Sequence, residues 1–103
     1  MNFLNMIEDA VNGGQAPALA DAAEAHVSEM PAEEVEQHLQ TAASNADANG
    51  QPDVAQEIQE MIANKRVDPE ELKSAAIDYL KANPQVISQF APSFAQGIIN
   101  RFL

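Results

Sequence analysis

Apolar residues recur at helical spacing in every long segment of this chain, and in no segment do they alternate with polar residues over a useful length. The most regular segment is 53–64. Its large apolar residues follow the i, i+4, i+7, i+8 spacing of one helix face: Val54, Ile58, Met61 and Ile62. A half-buried strand would need a period of two instead. The sequence therefore predicts an all-α fold with no β-sheet.

Proline marks the start of most predicted helices, because its missing N–H would be unpaired in a helical first turn anyway. The clearest start is Asp68-Pro69, where Asp68 can cap the helix and two glutamates follow at the positive end of its dipole. We expect Pro92 to interrupt the last apolar segment. The predicted helices cover about 2–11, 16–28, 31–44, 53–64, 69–82, 84–90 and 92–102. At 103 residues, the chain is predicted to form one domain (1–103), a compact bundle of five to seven short helices.

Large apolar side chains are unevenly distributed along the chain. Of the 28 Val, Ile, Leu, Met, Phe and Tyr residues, seventeen lie in 51–103 and only five in 12–50. The stretch 12–50 is rich in alanine and acidic residues, so it has high helix propensity but little to bury. We expect it to be helical and more loosely packed, unless the C-terminal helices or a partner cover it. Residues 45–50 (Asn-Ala-Asp-Ala-Asn-Gly) are predicted to be a loop.

The charge is strongly negative and is concentrated in the first two-thirds of the chain. Sixteen Asp and Glu face five Lys and Arg, a formal net charge of −11. Residues 1–64 hold twelve of the acids and no Lys or Arg. Nucleic-acid binding needs a positive surface, so direct binding is not expected. No run of about 18 apolar residues exists, so no transmembrane segment is predicted. A basic partner stays open.

The sequence lacks the residues that several classes of active site require. Without cysteine there is no disulfide, thiolate metal site or cysteine nucleophile. No glycine-rich phosphate loop, G-x-S-x-G or H-E-x-x-H motif occurs, and the paired glutamates fall in first helical turns, where the helix dipole explains them. No basic secretory n-region precedes the first helix. We therefore expect a cytoplasmic, non-catalytic protein with no cofactor.

The residues over 45–53 approach the spacing of an EF-hand calcium loop. Asn, Asp, Asn, Gly and Asp stand at its positions 1, 3, 5, 6 and 9. However, position 1 is Asn45 rather than Asp, and position 12, where a bidentate Glu is needed, is Gln56. Because Asn, Asp and Gly are ordinary turn residues, we predict a turn and leave calcium binding as the alternative.

Two histidines are candidate functional residues. His26 lies in the apolar stripe of its helix, which predicts a half-buried structural residue, with a pH-sensitive contact as the alternative. His38 follows Glu34 by four residues, so the two share a helix face. This pair lacks a third metal ligand at helical spacing. We predict a solvated pair and no metal site.

The C-terminal segment 84–103 is apolar, and Arg101 is its one charged residue. Its large side chains suit either a central core helix or a docking surface. The predicted partner contacts are Phe90, Phe94, Ile98 and Phe102, with Phe3 and Ile7 as a second patch. The predicted function is a non-catalytic acidic helical module that mediates protein–protein contact or self-association (a homo-oligomer) through apolar helix faces. The alternative is an acidic DNA mimic that binds a basic nucleic-acid-binding protein as a decoy.

Three stretches carry a resemblance to a known family. They are Val-Asp-Pro-Glu-Glu-Leu at 67–72, Pro-Gln-Val-Ile-Ser-Gln-Phe-Ala-Pro at 84–92 and, more loosely, Pro-Ala-Glu-Glu-Val-Glu-Gln-His-Leu at 31–39. In these stretches the chain resembles the YidB-like bacterial proteins, which are small acidic helical chains of unknown function. The resemblance implies a cytoplasmic bacterial all-α domain, and it implies no activity or site residues.

Overall fold

The computed structural model describes residues 3–65 and 68–102, and this part of the chain is helical without a strand. Six α-helices and one 3₁₀ helix follow one another. They are α1 (Phe3–Asn12), α2 (Ala16–Ser28), α3 (Ala32–Ala48), α4 (Pro52–Lys65), α5 (Pro69–Ala82), the 3₁₀ helix (Pro84–Gln89) and α6 (Pro92–Phe102). The predicted all-α bundle of five to seven helices is confirmed.

One predicted boundary needs correction. The predicted loop 45–50 is wrong, because α3 continues to Ala48 and the connection to α4 is reduced to 49–51. Alanine at every second position of this segment favours the helix over the turn. The helix predicted over 84–90 is present as a 3₁₀ helix, Pro84–Gln89.

Two glycines end α1 and α3 in the same way. Gly14 has φ 82° and Gly50 has φ 78°, the left-handed conformation that glycine adopts without steric cost. In both cases the N–H of the next residue donates to the carbonyl five positions earlier, at 2.8 Å. This is the Schellman arrangement, and it pairs carbonyls that the helix end would leave free.

The helices pack so that the C-terminal half covers the alanine-rich middle. α3 lies along α4, and α2 packs against α5 and α6. Six of the ten buried residues of α2 and α3 are alanines, and Ala23, Ala42 and Ala46 have no exposed surface. The C-terminal helices therefore cover the stretch 12–50, and such cover is what close packing of this stretch requires. The relative mobility of 12–50 stays a prediction.

The cap of α5 allows a direct test. Oδ1 of Asp68 accepts a hydrogen bond from the Glu70 N–H at 3.1 Å, as the sequence predicts. We expect Asp68→Ala to lower the free energy of unfolding by about 0.5–2 kcal/mol, because that N–H loses its partner. Urea unfolding measures the change, with Asp68→Asn as the control that keeps the acceptor. Equal losses in the two variants would contradict a capping role.

Candidate functional site

Most of the predicted contact residues lie in the core. Phe90, Phe94 and Ile98 are 5%, 2% and 0% exposed, and Ile7 is 1% exposed. α6 packs against both α2 and α1, and this places its large side chains between helices. These four residues therefore offer no docking surface in this fold, which corrects the predicted contact patch. Their burial instead supplies a large share of the hydrophobic stabilisation.

The two remaining predicted contact residues differ from these four. Phe102 is half-buried at the end of α6 and lines shallow surface depressions, one with Met6 of α1 and one with Ala18 and Ala25 of α2. It is the one predicted contact residue with a described side chain that reaches the surface. The side chain of Phe3 lies outside the described residues.

A cluster of aromatic rings joins α2, α3 and α6, and no motif in the sequence predicts it. His26 of α2 and Phe94 of α6 meet edge to face with ring centroids 5.3 Å apart. The ring of His38, from α3, lies 4.9 Å from the same phenylalanine, and Phe90 stacks on it at 4.3 Å. The position of His26 in the apolar stripe of its helix is the one signal that the sequence offers, since His38 was predicted to be solvated. Contact between them through Phe94 depends on the packing of three helices.

His26 is half-buried, and its ring lies beside Gly97 of α6. A Cβ built on Gly97 would lie 2.6 Å from its Nε2 and 2.9 Å from its Nδ1, so the imidazole occupies the space that a larger residue would need. Nε2 is buried and has no hydrogen-bond partner among the described residues. Burial is the main cause that lowers the pKa of His26 below its ordinary 6.5, and the charges of Arg101 and His38 lower it further.

His38 and Glu34 share a face of α3, as predicted, with Nε2 and Oε1 3.9 Å apart. The His38 side chain is 18% exposed, so it is less solvated than predicted because its ring lies against Phe94. Within the two described ranges, no three His, Asp or Glu side chains are grouped so that they could hold a metal ion.

Two residues of the candidate calcium loop form hydrogen bonds with Gln89. The side-chain amide of Asn45 donates to the backbone carbonyl of Gln89 at 2.8 Å, and that of Asn49 donates to Oε1 of Gln89 at 2.9 Å. Gln89 is buried, so these bonds satisfy polar atoms that would otherwise be costly. Since Asn45 and Asp47 are helical, their oxygens do not converge as a calcium loop requires.

The cations with described side chains all contact one helix. Nζ of Lys73 donates to the carbonyl of Ser28 at 2.8 Å, at the negative end of the α2 dipole. Lys81 and Glu24 lie 3.3 Å apart, and Arg101 forms an ion pair with Glu29. Lysines and arginines of α5 and α6 thus neutralise α2 alone.

The carboxylates carried by the two packed helices α3 and α4 are together called the α3–α4 acidic surface. It consists of Glu33, Glu34, Glu36, Asp47, Asp53, Glu57 and Glu60. All are exposed except Glu36, which is half-buried. Of these, Glu57 accepts a hydrogen bond from the Tyr79 hydroxyl at 2.8 Å. Burial, that hydrogen bond and the Glu57 charge all raise the pKa of Tyr79. Among the described side chains, no Lys or Arg pairs with this surface.

Comparison with known proteins adds no relative. No protein-family model matches this chain, and neither a curated protein nor a solved structure matches it. No helix in the described parts of the chain combines the length and the apolar character that crossing a membrane requires.

Proposed function

We propose that this protein is a non-catalytic helical module that binds a basic protein partner through the α3–α4 acidic surface. The distribution of cations carries the proposal: Lys73, Lys81 and Arg101 all contact α2, and seven carboxylates on α3 and α4 are left without a lysine or arginine among the described residues. A surface of one sign attracts an oppositely charged partner over a distance and speeds its association.

Burial of the apolar residues favours this mode over association through apolar faces. Phe90, Phe94 and Ile98 are taken up by the core, which leaves Phe102 as a half-buried contact. Two copies of a chain with a net charge of −11 also repel each other at low salt. We therefore expect a molar mass of one chain by light scattering, and a salt-resistant dimer would favour self-association instead.

A decoy for a nucleic-acid-binding protein is the second candidate. Residues 1–64 contain twelve acids and no Lys or Arg, so a basic protein surface that binds phosphates would meet carboxylates and no opposing cation over this stretch. The two candidates share the acidic surface and differ in the partner. A cytoplasmic location and the absence of catalysis stay predictions under both.

The test compares two variants of equal charge. Glu33→Gln, Asp53→Asn and Glu60→Gln together remove three charges from the α3–α4 acidic surface. Glu70→Gln, Glu71→Gln and Asp78→Asn remove three exposed charges from α5 and serve as the control. Both sets include two acids from first helical turns, so their losses of helix-dipole stabilisation are matched.

Each variant is immobilised and exposed to a cell lysate, and the captured proteins are identified. We expect the unaltered protein and the α5 variant to capture the same basic protein and the α3–α4 variant to lose it. Capture should weaken as salt rises from about 0.1 M to about 1 M, over which the Debye length falls from about 10 Å to about 3 Å. Equal capture by both variants, or capture that resists high salt, would overturn the proposal. Release of the captured protein by duplex DNA would favour the decoy.

A further inference from the structure

The contact between α2 and α6 includes a histidine that can be charged only at a cost. His26 presents a buried Nε2 with no partner among the described residues, and its ring is covered by Phe94 and Gly97, both from α6. An imidazolium needs hydrogen-bond acceptors or water on both ring nitrogens. In this packing Nε2 has neither an acceptor nor access to solvent, so protonation conflicts with the closed position of α6.

We propose that α6 is a pH-sensitive element of the fold, closed on α2 while His26 is neutral and released when His26 is protonated. The two contacts described at the His26 ring, with Phe94 and beside Gly97, both come from α6, so movement of this helix uncovers that side of the imidazole. Local opening of one helix costs less than global unfolding.

The charges around His26 divide between the neighbouring helices. From α6, Arg101 opposes protonation, and from α3, His38 does the same. Glu29 on the same helix and Glu34 on α3 favour it. Both acids already have a partner, because Glu29 forms an ion pair with Arg101 and Glu34 lies near His38. From α5, Lys73 holds the carbonyl of Ser28 and adds no acceptor.

The direction of the pH effect follows from this balance. The folded state binds a proton on His26 less readily than the unfolded chain, whose histidine titrates near 6.5. Above about pH 6.5, where His26 is neutral in both states, the free energy of unfolding therefore has its full value. It decreases as the pH falls from there toward the lowered folded-state pKa of His26. Protonation of the carboxylates acts in the opposite direction, because it relieves repulsion on a chain of net charge −11.

Hydrogen exchange followed by NMR tests the proposal at several pH values between about 8 and 5. After correction for the intrinsic exchange rate, we expect protection of α6 amides to fall on acidification while α4 amides keep theirs. The His26 ring resonances should titrate over the same range as the loss of protection. Uniform loss in α4 and α6, or unchanged protection in α6, would overturn the proposal.

Two substitutions separate His26 from other titrating groups. His26→Phe keeps a ring against Phe94 and cannot be protonated, so acid should no longer release α6. His26→Gln serves the same purpose if the phenylalanine variant does not fold. His38→Gln is the control, and it should retain the acid release. Loss of the release in His38→Gln, or its persistence in both His26 variants, would contradict the role of His26.

Discussion

Replacement of Phe94 by aspartate is expected to displace α6 from the core and to remove most of the stability of this protein. Phe94 is 2% exposed and its ring contacts those of His26, His38 and Phe90. Removal of a buried phenylalanine side chain costs about 3–5 kcal/mol by itself. The aspartate adds the cost of a buried carboxylate without a partner. Together these losses approach or exceed the roughly 5–15 kcal/mol that stabilises a typical domain.

Far-UV circular dichroism measures the loss of helix in the Phe94→Asp variant. The matched control is Phe102→Asp on the same helix, because Phe102 is half-buried at the surface. We expect this control to keep the helical spectrum and to melt cooperatively. A folded Phe94→Asp variant with unchanged melting would show that α6 does not occupy the core position described above.

Substitution of Gly97 by alanine is expected to destabilise the protein although alanine is the better helix former. Alanine in a helix interior gains about 1 kcal/mol over glycine. At this position, however, its Cβ would lie within 2.6 Å of Nε2 of His26, a ring that is itself packed against Phe94. Overpacking of this kind typically costs about 1–3 kcal/mol. The net free energy of unfolding should therefore fall.

A double-mutant cycle isolates the contact between Gly97 and His26. In a His26→Ala background the obstructing ring is gone, and Gly97→Ala should become neutral or stabilising by up to about 1 kcal/mol. Gln96→Ala, at an exposed neighbouring position, should have little effect in either background. Urea unfolding of the four cycle members gives the coupling energy. A coupling energy of zero would show that the ring moves aside freely.

The packing of α6 against His26 is a point at which pH could regulate the protein. Glycine at 97 and a neutral imidazole at 26 are both needed for the observed separation of α2 and α6. The same closure buries Phe90, Phe94 and Ile98, the residues whose spacing first indicated a contact surface. Acid release of α6 would expose part of this apolar set, while the carboxylates of the α3–α4 acidic surface lie on other helices.

Local features of the sequence predict most of the helix boundaries. α2, α5 and α6 match the predicted ranges 16–28, 69–82 and 92–102, because proline, asparagine and aspartate act on the helix end at which they stand. The end of α3 could not be predicted in the same way. Asn45 and Asn49 are turn residues by composition, yet their amides find acceptors on Gln89, forty or more residues away.

The candidate site was likewise predictable from the sequence only in part. Twelve acids without a lysine or arginine over 1–64 are visible in the sequence, and so is the apolar stripe that contains His26. The use of Lys73, Lys81 and Arg101 on α2 is not visible there, because it depends on contacts between residues far apart in the chain. Those contacts decide which carboxylates are left for a partner.

By itself, the sequence determined the all-α class, the sign and location of the charge, and most helix ends, since each depends on residue type and short-range spacing. Tertiary structure alone decided that Phe90 and Phe94 are core rather than surface, because burial depends on which helices pack together. It also placed His26 against Gly97, seventy-one positions apart in sequence, where one missing Cβ makes room for an imidazole ring. That contact arises only when α2 and α6 meet.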